Sequence, residues 1–349
     1  MSLFPITAYD KAVWENELKD FLPDRMFDAH AHIWIDYMKA KAGDSHGKVS
    51  WPLLVAKDNP IEDLLETYRL IFPGKTVHAL VFAGSNGNLP IWNEYIRESA
   101  QKAGYDALYF STPSESADEL EAKIRAGGFV GIKSYLDQSP PYIPSNEIRI
   151  FDFFPKHQLR KLDELGGIVM LHIPRAGRLK DPVNLMQILE IKKEFPRLKL
   201  IIAHIGRAYT AEDIGNSFEI LSEAPDLLFD FTANCCEAAI ETALKHVGPS
   251  RLLFGTDMPI LRMRTHRIEE NGTYVNLVPP GLYGDVSEDP HMREVSPDEA
   301  ERITFFAYEE LLAFKRAATT LGLSKDDVEK VMYRNAVNLI AEARRSIFG

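Results

Sequence analysis

The sequence predicts an α/β protein built as a (β/α)8 barrel, the TIM barrel architecture. Short apolar runs alternate with segments of helical periodicity, a pattern typical of parallel strands joined by crossover helices. Eight such units occur, and no G-x-G-x-x-G follows the first strand, which favours a closed barrel over an open doubly wound sheet. A length of 349 residues suits one barrel with long loops, so we predict a single domain over residues 1–349.

The elements follow one another in regular order along the chain. The predicted strands cover residues 25–32, 77–82, 106–111, 129–135, 168–173, 199–205, 227–233 and 252–257. The predicted helices cover residues 8–21, 60–72, 91–103, 116–126, 155–165, 182–195, 210–223, 236–247, 297–320 and 324–345. Three long insertions, 33–59, 136–155 and 259–296, follow strands one, four and eight. Because long loops in compact domains are usually functional, we interpret these insertions as lids over a site.

Composition narrows the class of protein. The formal net charge of −11 and the absence of a basic stripe argue against a nucleic-acid surface. Two adjacent cysteines do not form a disulfide framework, which favours a reducing compartment. We see no signal peptide and no apolar run long enough for a transmembrane helix. The composition therefore predicts a cytoplasmic protein that binds neither membrane nor nucleic acid.

Polar side chains stand at the carboxyl ends of several predicted strands. Strand one ends in His30 and His32, strands five and six end near His172 and His204, and strand eight ends in Asp257. Alternate residues of a strand face one side, so the two histidines of the H-x-H project together. A single histidine here would usually be a packed core residue. Five metal-competent residues at matching ends of a barrel instead predict a metal site, because a barrel gathers these ends around one axis.

The motifs D-A-H-A-H-I-W (28–34), A-H-I-G (203–206) and F-G-T-D-M-P (254–259) resemble the amidohydrolase superfamily, and most closely its amidohydrolase-related branch. The resemblance covers the barrel from about residue 25 to residue 257, and Y-R-N-A (333–336) is also similar. That branch contains hydrolases, such as dicarboxylate lactonases, and non-oxidative decarboxylases, such as aminocarboxymuconate semialdehyde decarboxylase. The resemblance implies that His30, His32, His172 and Asp257 hold one divalent ion, with His204 beside the metal-bound water.

The chemistry of such a site gives these residues distinct tasks. Catalytic zinc keeps a position open for water and lowers its pKa to about 7. Asp257 can touch the metal and accept the proton of the water, and His204 can polarise the substrate or carry a proton, so both are candidate catalytic residues. The ligand types suit zinc best but also admit manganese, cobalt or iron. Asp28, on the same strand face, is a candidate to orient a ligand or a member of a polar network.

Basic residues near the strand ends suggest a small anionic substrate. Arg175 and Arg207 each follow a predicted site histidine by three residues, and Arg262 or Arg264 could reach in from the loop after Asp257. The planar guanidinium group of arginine can donate two parallel hydrogen bonds to a carboxylate. Lys133 on strand four has three interpretations. It is a cation aimed at the pocket, a structural partner of an acid or, as in binuclear members of the superfamily, a carboxylated lysine bridging two ions.

Other polar residues are weaker candidates. We expect three alternate residues along strand seven to face the barrel interior: Asp230, Thr232 and Asn234. Cys235 and Cys236 are expected to be packing residues. His46, His266 and His291 fall in the insertions and line the mouth or the surface.

Three functional hypotheses remain open at this point. The first is a metal-dependent hydrolase that uses a metal-activated water on a small carboxylated ester, lactone or amide. The second is a metal-dependent non-oxidative decarboxylase of an aromatic or unsaturated carboxylic acid. The third, a non-catalytic barrel that binds a metal or metabolite, is opposed by the lids, since water-excluding loops serve turnover. Substrate identity and oligomeric state, including a homo-oligomer, stay open.

Overall fold

A computed structural model describes residues 2–35, 54–84 and 89–349 of the chain, so most of the predicted lid 33–59 lies outside the described residues. The strands are β1 Arg25–His32, β2 Thr76–Phe82, β3 Asp106–Ala107, β4 Tyr109–Phe110, β5 Gly131–Lys133, β6 Ile168–Leu171, β7 Lys199–Ile202, β8 Leu228–Asp230 and β9 Leu252–Leu253. Neighbouring strands pair in parallel and in sequence order, from β1 to β3 and from β4 to β9. The predicted third strand is divided at Leu108 into β3 and β4.

The last strand returns to the first through backbone hydrogen bonds. The amide of Ala29 donates to the carbonyl of Phe254 at 2.9 Å, and the amide of Asp257 donates to the carbonyl of His30 at 2.8 Å. A further bond joins the amide of His32 to the carbonyl of Met258 at 2.9 Å. The predicted TIM barrel is confirmed, and these bonds place the predicted residue of strand eight beside the H-x-H of strand one.

Helices surround the strands. They span Ala8–Val13, Ile61–Ile71, Leu89–Ala103, Ala117–Gly127, Ile150–Phe153, Lys156–Leu165, Pro182–Glu194, Ser217–Leu221, Glu237–Val247, Pro297–Ala300, Phe306–Thr320, Lys325–Glu329 and Asn335–Phe348. The predicted helix 210–223 is shorter, because Gly215 adopts a φ of 51° before Ser217. The predicted helix 297–320 is broken, because the segment around Phe305 instead makes an antiparallel bridge with Arg264.

The third insertion contains structure of its own. It forms β10 His266–Glu270, β11 Thr273–Val278 and β12 Met292–Glu294, which pair as a small separate sheet. The second insertion contains the 3-10 turn Leu136–Gln138 and the helix Ile150–Phe153. Among the described residues, none of the helices has both the length and the apolar character needed to span a bilayer.

The interior of the barrel is apolar up to the ends of its strands. Its packed side chains include Phe27, Leu80, Leu108, Val130, Ile168, Met170, Ile201 and Leu253. Ala336, Ile340 and Ala343 of the last helix join this cluster and close the amino-terminal end of the barrel. Polar residues at the opposite end therefore lie above a filled core, at the face where barrel enzymes hold their sites.

Candidate metal centre

A cavity of about 370 Å³ opens at the carboxyl ends of the strands. Its lining includes the five predicted strand-end residues and Lys133, together with three residues that the sequence did not single out. The lining residues are His30, His32, Lys133, Tyr135, Leu136, Asp137, His172, His204 and Asp257. The structure therefore brings together residues that are up to 227 positions apart (257 − 30) in the sequence.

Two histidines of β1 converge on one carboxylate oxygen. Nε2 of His32 lies 2.9 Å from Oδ1 of Asp257, and Nε2 of His30 lies 3.6 Å from the same oxygen. Asp257 projects here from backbone with a φ of 50°, in the left-handed region. Three ligand atoms, one from each residue, lie within 4.8 Å of one another. The left-handed backbone of Asp257 is strained for a non-glycine residue, and strain of this kind is typical of functional sites.

The opposite ring nitrogens of both histidines are already hydrogen-bonded. Nδ1 of His30 donates to Oδ2 of Asp230 at 3.0 Å, and Nδ1 of His32 donates to the carbonyl of Ala83 at 3.2 Å. In a neutral imidazole with a protonated Nδ1, Nε2 carries only a lone pair. Two lone pairs therefore face the carboxylate of Asp257, an arrangement that requires a cation or a proton between them.

A divalent ion satisfies this arrangement. Burial is the main reason why the pKa of His30 is lowered, and nearby positive charge adds to this effect. The same two causes hold the pKa of His172 well below its usual value. Both rings are therefore neutral near pH 7. Nε2 of His30 and Nδ1 of His172 are buried and make no hydrogen bond within the described parts of the chain. Neutral imidazoles held from behind and a carboxylate are the donors that zinc and related ions prefer. The residues fit a metal ion.

Asp257 is ionised in this setting. Burial alone would raise the pKa of its carboxyl group. The surrounding imidazoles of His32, His204 and His30 outweigh that effect and hold the pKa below its usual range. The carboxylate is therefore available both as a ligand and as a proton acceptor.

Asp230 orients the histidines, a role that the sequence did not assign to it. Besides His30, its carboxylate accepts the backbone amides of His204 at 2.7 Å and Thr232 at 3.2 Å. Burial opposes its ionisation, but the charge and hydrogen bond of His30 lower its pKa to about 2. One carboxylate thus fixes a ring on β1 and the backbone after β7. The alternation of β8 placed Asp230 towards the interior but did not show which ring it would meet.

Asp28 acts on the backbone rather than on a ring. Its carboxylate accepts the amides of His30 at 2.9 Å and Thr256 at 3.0 Å, and the hydroxyl of Tyr68 at 2.6 Å. Burial raises its pKa to about 7 despite these bonds. Of the two interpretations open for Asp28, the polar network is the one observed, and it ties the first strand to the eighth.

His204 begins a left-handed turn that continues to Arg207. The φ angles of the four residues are 59°, 48°, 58° and 60°, a conformation that L-residues adopt only under constraint. Nδ1 of His204 donates to the carbonyl of Thr232 at 3.0 Å, which leaves Nε2 as an acceptor. Its ring centroid lies 4.8 Å from that of His30 and 5.3 Å from that of His172. Burial, assisted by the charge of His30, lowers the pKa of His204 to about 4.

Lys133 enters the cavity without a carboxylate partner. Its ammonium lies 5.4 Å from the ring centroid of Phe82 and 5.1 Å from that of Tyr135, and no acidic group of the described chain forms an ion pair with it. Burial lowers its pKa to about 8, against the attraction of Asp230 and Asp257. The aromatic contacts hold a cation that remains available to an anion in the cavity.

The four predicted substrate arginines are not among the residues that line the cavity. Arg175 pairs with Asp181 at 3.1 Å, and Arg207 makes a 3.5 Å contact to the carbonyl of Arg175. The charge of Arg207 contributes to the lowered pKa of His172.

Arg262 and Arg264 are directed elsewhere, which corrects the expectation that one of them reaches the site. Arg262 donates to the carbonyl of Val55 at 2.9 Å, and Arg264 pairs with the buried carboxylate of Asp10 at 2.6 Å. The loop after Asp257 turns back against the amino-terminal segment, and this turn carries both guanidinium groups away from the cavity.

The remaining candidates serve the scaffold around the site. Asn234 donates to the carbonyl of Ala208 at 2.9 Å and accepts the amide of Cys236 at 2.9 Å. His266 pairs with Glu309 at 2.9 Å, and His291 stacks on Tyr274 at a centroid distance of 4.4 Å. Both cysteines are free thiols outside the cavity lining. His46 lies outside the described residues.

Tyr135 is a site residue that the sequence analysis missed. Its hydroxyl donates at 2.6 Å to the carbonyl of Ala83, the same oxygen that accepts from His32. The signal was its position two residues after Lys133, which places both side chains on one face of an extended segment.

The chain is similar to known proteins in sequence pattern and in fold. The family model described as Amidohydrolase matches residues 27–340. No curated protein matches the chain. Among solved structures, a probable 2-pyrone-4,6-dicarboxylic acid hydrolase from Acinetobacter baumannii with citric acid bound has 15% identity and a TM-score of 0.56, covering 90% of this chain and 99% of that one. An amidohydrolase from Burkholderia multivorans with bound zinc has 15% identity and a TM-score of 0.59, with the same coverage of 90% and 99%. A 2,6-dihydroxybenzoate decarboxylase from Rhizobium has 14% identity and a TM-score of 0.53, covering 92% and 99%.

Proposed function

The chain belongs to the amidohydrolase family, and from that premise we propose that it is a metal-dependent hydrolase of a small carboxylated ester, lactone or amide. Membership makes it an enzyme of this superfamily. The observation that carries the proposal is the convergence of His30, His32 and Asp257, whose acceptor atoms face one another while the far side of each imidazole is hydrogen-bonded. A non-catalytic barrel would not need this arrangement beside a cavity of about 370 Å³.

His30, His32, His172 and Asp257 would hold one divalent ion, with zinc as the first candidate and manganese, cobalt or iron as alternatives. When bound, the ion would supply a Lewis acid for the substrate carbonyl and lower the pKa of a bound water. The zinc in the Burkholderia multivorans structure supports this assignment. A second ion bridged by a carboxylated Lys133 remains the alternative.

Two residues of the chain can accept protons or hydrogen bonds in the cavity. The carboxylate of Asp257 is ionised and accepts a proton from the attacking water. Nε2 of His204 is an unprotonated acceptor because its pKa is about 4 and its Nδ1 donates to Thr232. Nε2 of His204 therefore accepts a hydrogen bond from substrate or water on the side of the cavity next to His30 and His172.

Two cations give the cavity its preference for an anion. Lys133 lines the cavity without an acidic partner among the described residues, and the charge of Arg207 acts on His172. The substrate carboxylate would bind to the Lys133 ammonium, with Arg207 adding positive potential. Arg175 would contribute by holding the loop on which the Arg207 guanidinium rests. The citric acid in the Acinetobacter baumannii structure supports an anionic ligand.

The alternative is a metal-dependent non-oxidative decarboxylase of an aromatic or unsaturated carboxylic acid. The decarboxylase from Rhizobium, which has this fold, supports it. The same residues would hold the ion, and His204 would exchange a proton with the substrate carbon. A cytoplasmic location, the absence of nucleic-acid and membrane partners, and a possible homo-oligomer belong to the same proposal.

Elemental analysis combined with a substrate screen tests the proposal. The purified protein should contain about one divalent ion per chain and should hydrolyse carboxylated lactones or esters without releasing carbon dioxide. The variant His204→Asn should lose turnover but keep its ion, whereas loss of the ion would make His204 a ligand. Full activity of metal-free protein would overturn the proposal, and release of carbon dioxide would favour the decarboxylase.

A further inference from the structure

We propose that Glu310 is a positioning residue that acts on His204 through one peptide group, the one between Thr232 and Ala233. The oxygen of this group accepts the hydrogen bond from Nδ1 of His204 at 3.0 Å, and its N–H donates to a carboxyl oxygen of Glu310. Glu310 lies on the helix Phe306–Thr320, outside the cavity lining, and sequence analysis did not single it out. The inference rests on the proposed function, in which His204 serves as an acceptor.

The peptide group between Thr232 and Ala233 can transmit this influence. Its bond is trans, so its C=O and N–H point in opposite directions, and His204 and Glu310 lie on opposite sides of it. Hydrogen bonds in such a chain polarise one another, so the bond to Glu310 makes the carbonyl of Thr232 a stronger acceptor. A strong acceptor at Nδ1 of His204 keeps the ring proton there. The lone pair then remains on Nε2.

The turn that contains this peptide group is held from both sides. Ala233 has a φ of 54°, in the left-handed region, which is costly for an L-residue. Its N–H is bound by Glu310, and its C=O accepts Nη1 of Arg267 at 2.7 Å. The guanidinium of Arg267 is itself fixed, since its Nε donates to Asn276 at 2.8 Å and its Cζ lies 4.4 Å from the ring centroid of Phe306. Two anchors therefore set the orientation of the carbonyl that His204 contacts.

Glu310 is an unusual residue to find at this position. Its side chain is fully buried, and within the described parts of the chain its second oxygen makes no hydrogen bond. Burial raises the pKa of Glu310 well above its usual value and outweighs the hydrogen bond from Ala233. A neutral carboxyl group still accepts an amide hydrogen bond. An apolar side chain of similar size would avoid the cost of burying a carboxyl group, but it could not accept the N–H of Ala233.

Variants of Glu310, read out at the ring of His204, test the inference. Glu310→Met removes the acceptor, whereas Glu310→Gln keeps an oxygen that can accept the same hydrogen bond. The matched control is Tyr308→Phe, because the hydroxyl of Tyr308 makes another buried hydrogen bond from the same helix, to the carbonyl of Ile71 at 2.6 Å. Nitrogen NMR spectra of isotope-labelled, zinc-loaded protein report which ring nitrogen carries the proton. The variant His204→Asn assigns the signals of His204.

The position of the ring proton should depend on the acceptor at residue 310. We expect it on Nδ1 of His204 in wild type, in Tyr308→Phe and in Glu310→Gln, and distributed over both ring nitrogens in Glu310→Met. With a substrate that is turned over, Glu310→Met should lower kcat about tenfold, as for loss of one hydrogen bond, with little change in KM. Glu310→Gln should recover most of that kcat.

An unchanged His204 signal in folded Glu310→Met would overturn the inference, as would an equal loss of kcat in Tyr308→Phe. If Glu310→Met does not fold, Glu310→Asp replaces it, because its shorter side chain withdraws the acceptor from Ala233 and should give the same mixed signal. The spectra require no turnover. A protein without hydrolase activity would therefore defeat the proposed function alone, and an active hydrolase with an unchanged His204 signal would defeat the Glu310 inference alone.

Discussion

Nδ1 of His30 lies 3.0 Å from Oδ2 of Asp230, and this hydrogen bond joins two residues that are 200 positions apart. The other oxygen of Asp230 accepts the backbone amide of His204 at 2.7 Å. The orientation of a predicted ligand and the position of a predicted proton acceptor thus depend on one buried carboxylate.

The variant Asp230→Asn should therefore weaken metal binding. An amide matches the carboxylate in shape but removes the charge that orients His30, and losses of such orienting partners typically reduce metal affinity about 10–100-fold. Competition with a chelator measures the affinity. The matched control is Asp226→Asn, a surface acid just before β8 that pairs with Lys192 at 2.8 Å and should leave affinity unchanged. Unchanged affinity in Asp230→Asn would show that His30 is not oriented in this way.

Two variants of Tyr135 should distinguish the role of its hydroxyl in positioning His32 from the role of its ring in holding Lys133. Tyr135→Phe loses the hydroxyl that shares the carbonyl of Ala83 with His32 but keeps the ring beside Lys133. We expect a severalfold loss of kcat with little change in KM. Tyr135→Leu should in addition raise KM, since the cation–π contact contributes about 0.5–2 kcal/mol. Tyr142→Phe, an exposed residue of the same insertion, is the control. Equal KM values for the Phe and Leu variants would contradict the ring's role.

Lys133 should make substrate affinity depend on pH. Burial lowers its pKa to about 8, so the ammonium is charged below that pH and neutral above it. The KM for an anionic substrate should rise as the pH increases through 8. In Lys133→Arg, whose guanidinium stays charged, this rise should disappear. Initial rates between pH 6 and 10, an interval about two units either side of that pKa, measure the profile. A wild-type profile retained in the arginine variant would assign the titration to another group.

Removal of the metal should destabilise the fold at the mouth of the barrel. A ligand that binds only the folded state stabilises that state by about 2.7 kcal/mol when its concentration is a hundred times its dissociation constant. We expect a chelator to lower the thermal midpoint of wild type by several degrees and to leave His30→Gln unaffected. His266→Gln, which alters a histidine paired with Glu309 away from the cavity, should respond as wild type does. No shift in wild type would argue against a resident ion.

Substitution of Gly206 should disturb the turn that presents His204. It has a φ of 58°, and an added Cβ would lie 2.5 Å from Cδ1 of Leu179. Gly206→Ala therefore adds a steric clash to the left-handed strain, and we expect it to lower both stability and kcat. Gly281→Ala is the matched control, because Gly281 has a φ of 69° with nothing within 4 Å of the added atom. It should cost only about 1–2 kcal/mol of unfolding free energy. Equal losses in urea titrations would remove the steric argument.

The fold was largely predictable because its signals are local. Apolar strands alternate with amphipathic helices, and each strand–helix unit can be recognised from a short window of the sequence. The failures have tertiary causes. The predicted helix 297–320 is broken where Phe305 pairs with Arg264, a contact that no local periodicity reports. The single-domain assignment and the individual site roles stay predictions.

The barrel and its five strand-end residues could be predicted from local sequence, because strand polarity and alternation place such residues at one rim. The sequence could not decide whether Arg262 or Arg264 reaches the site, since a long side chain on a loop can point in many directions. Only the tertiary structure turned Arg262 and Arg264 towards the amino-terminal segment and made Asp230 the carboxylate behind His30. It also placed Tyr135 and Asp137 in the cavity wall. Contacts between distant segments fix the orientation of each side chain, and the chemistry of the site depends on that orientation.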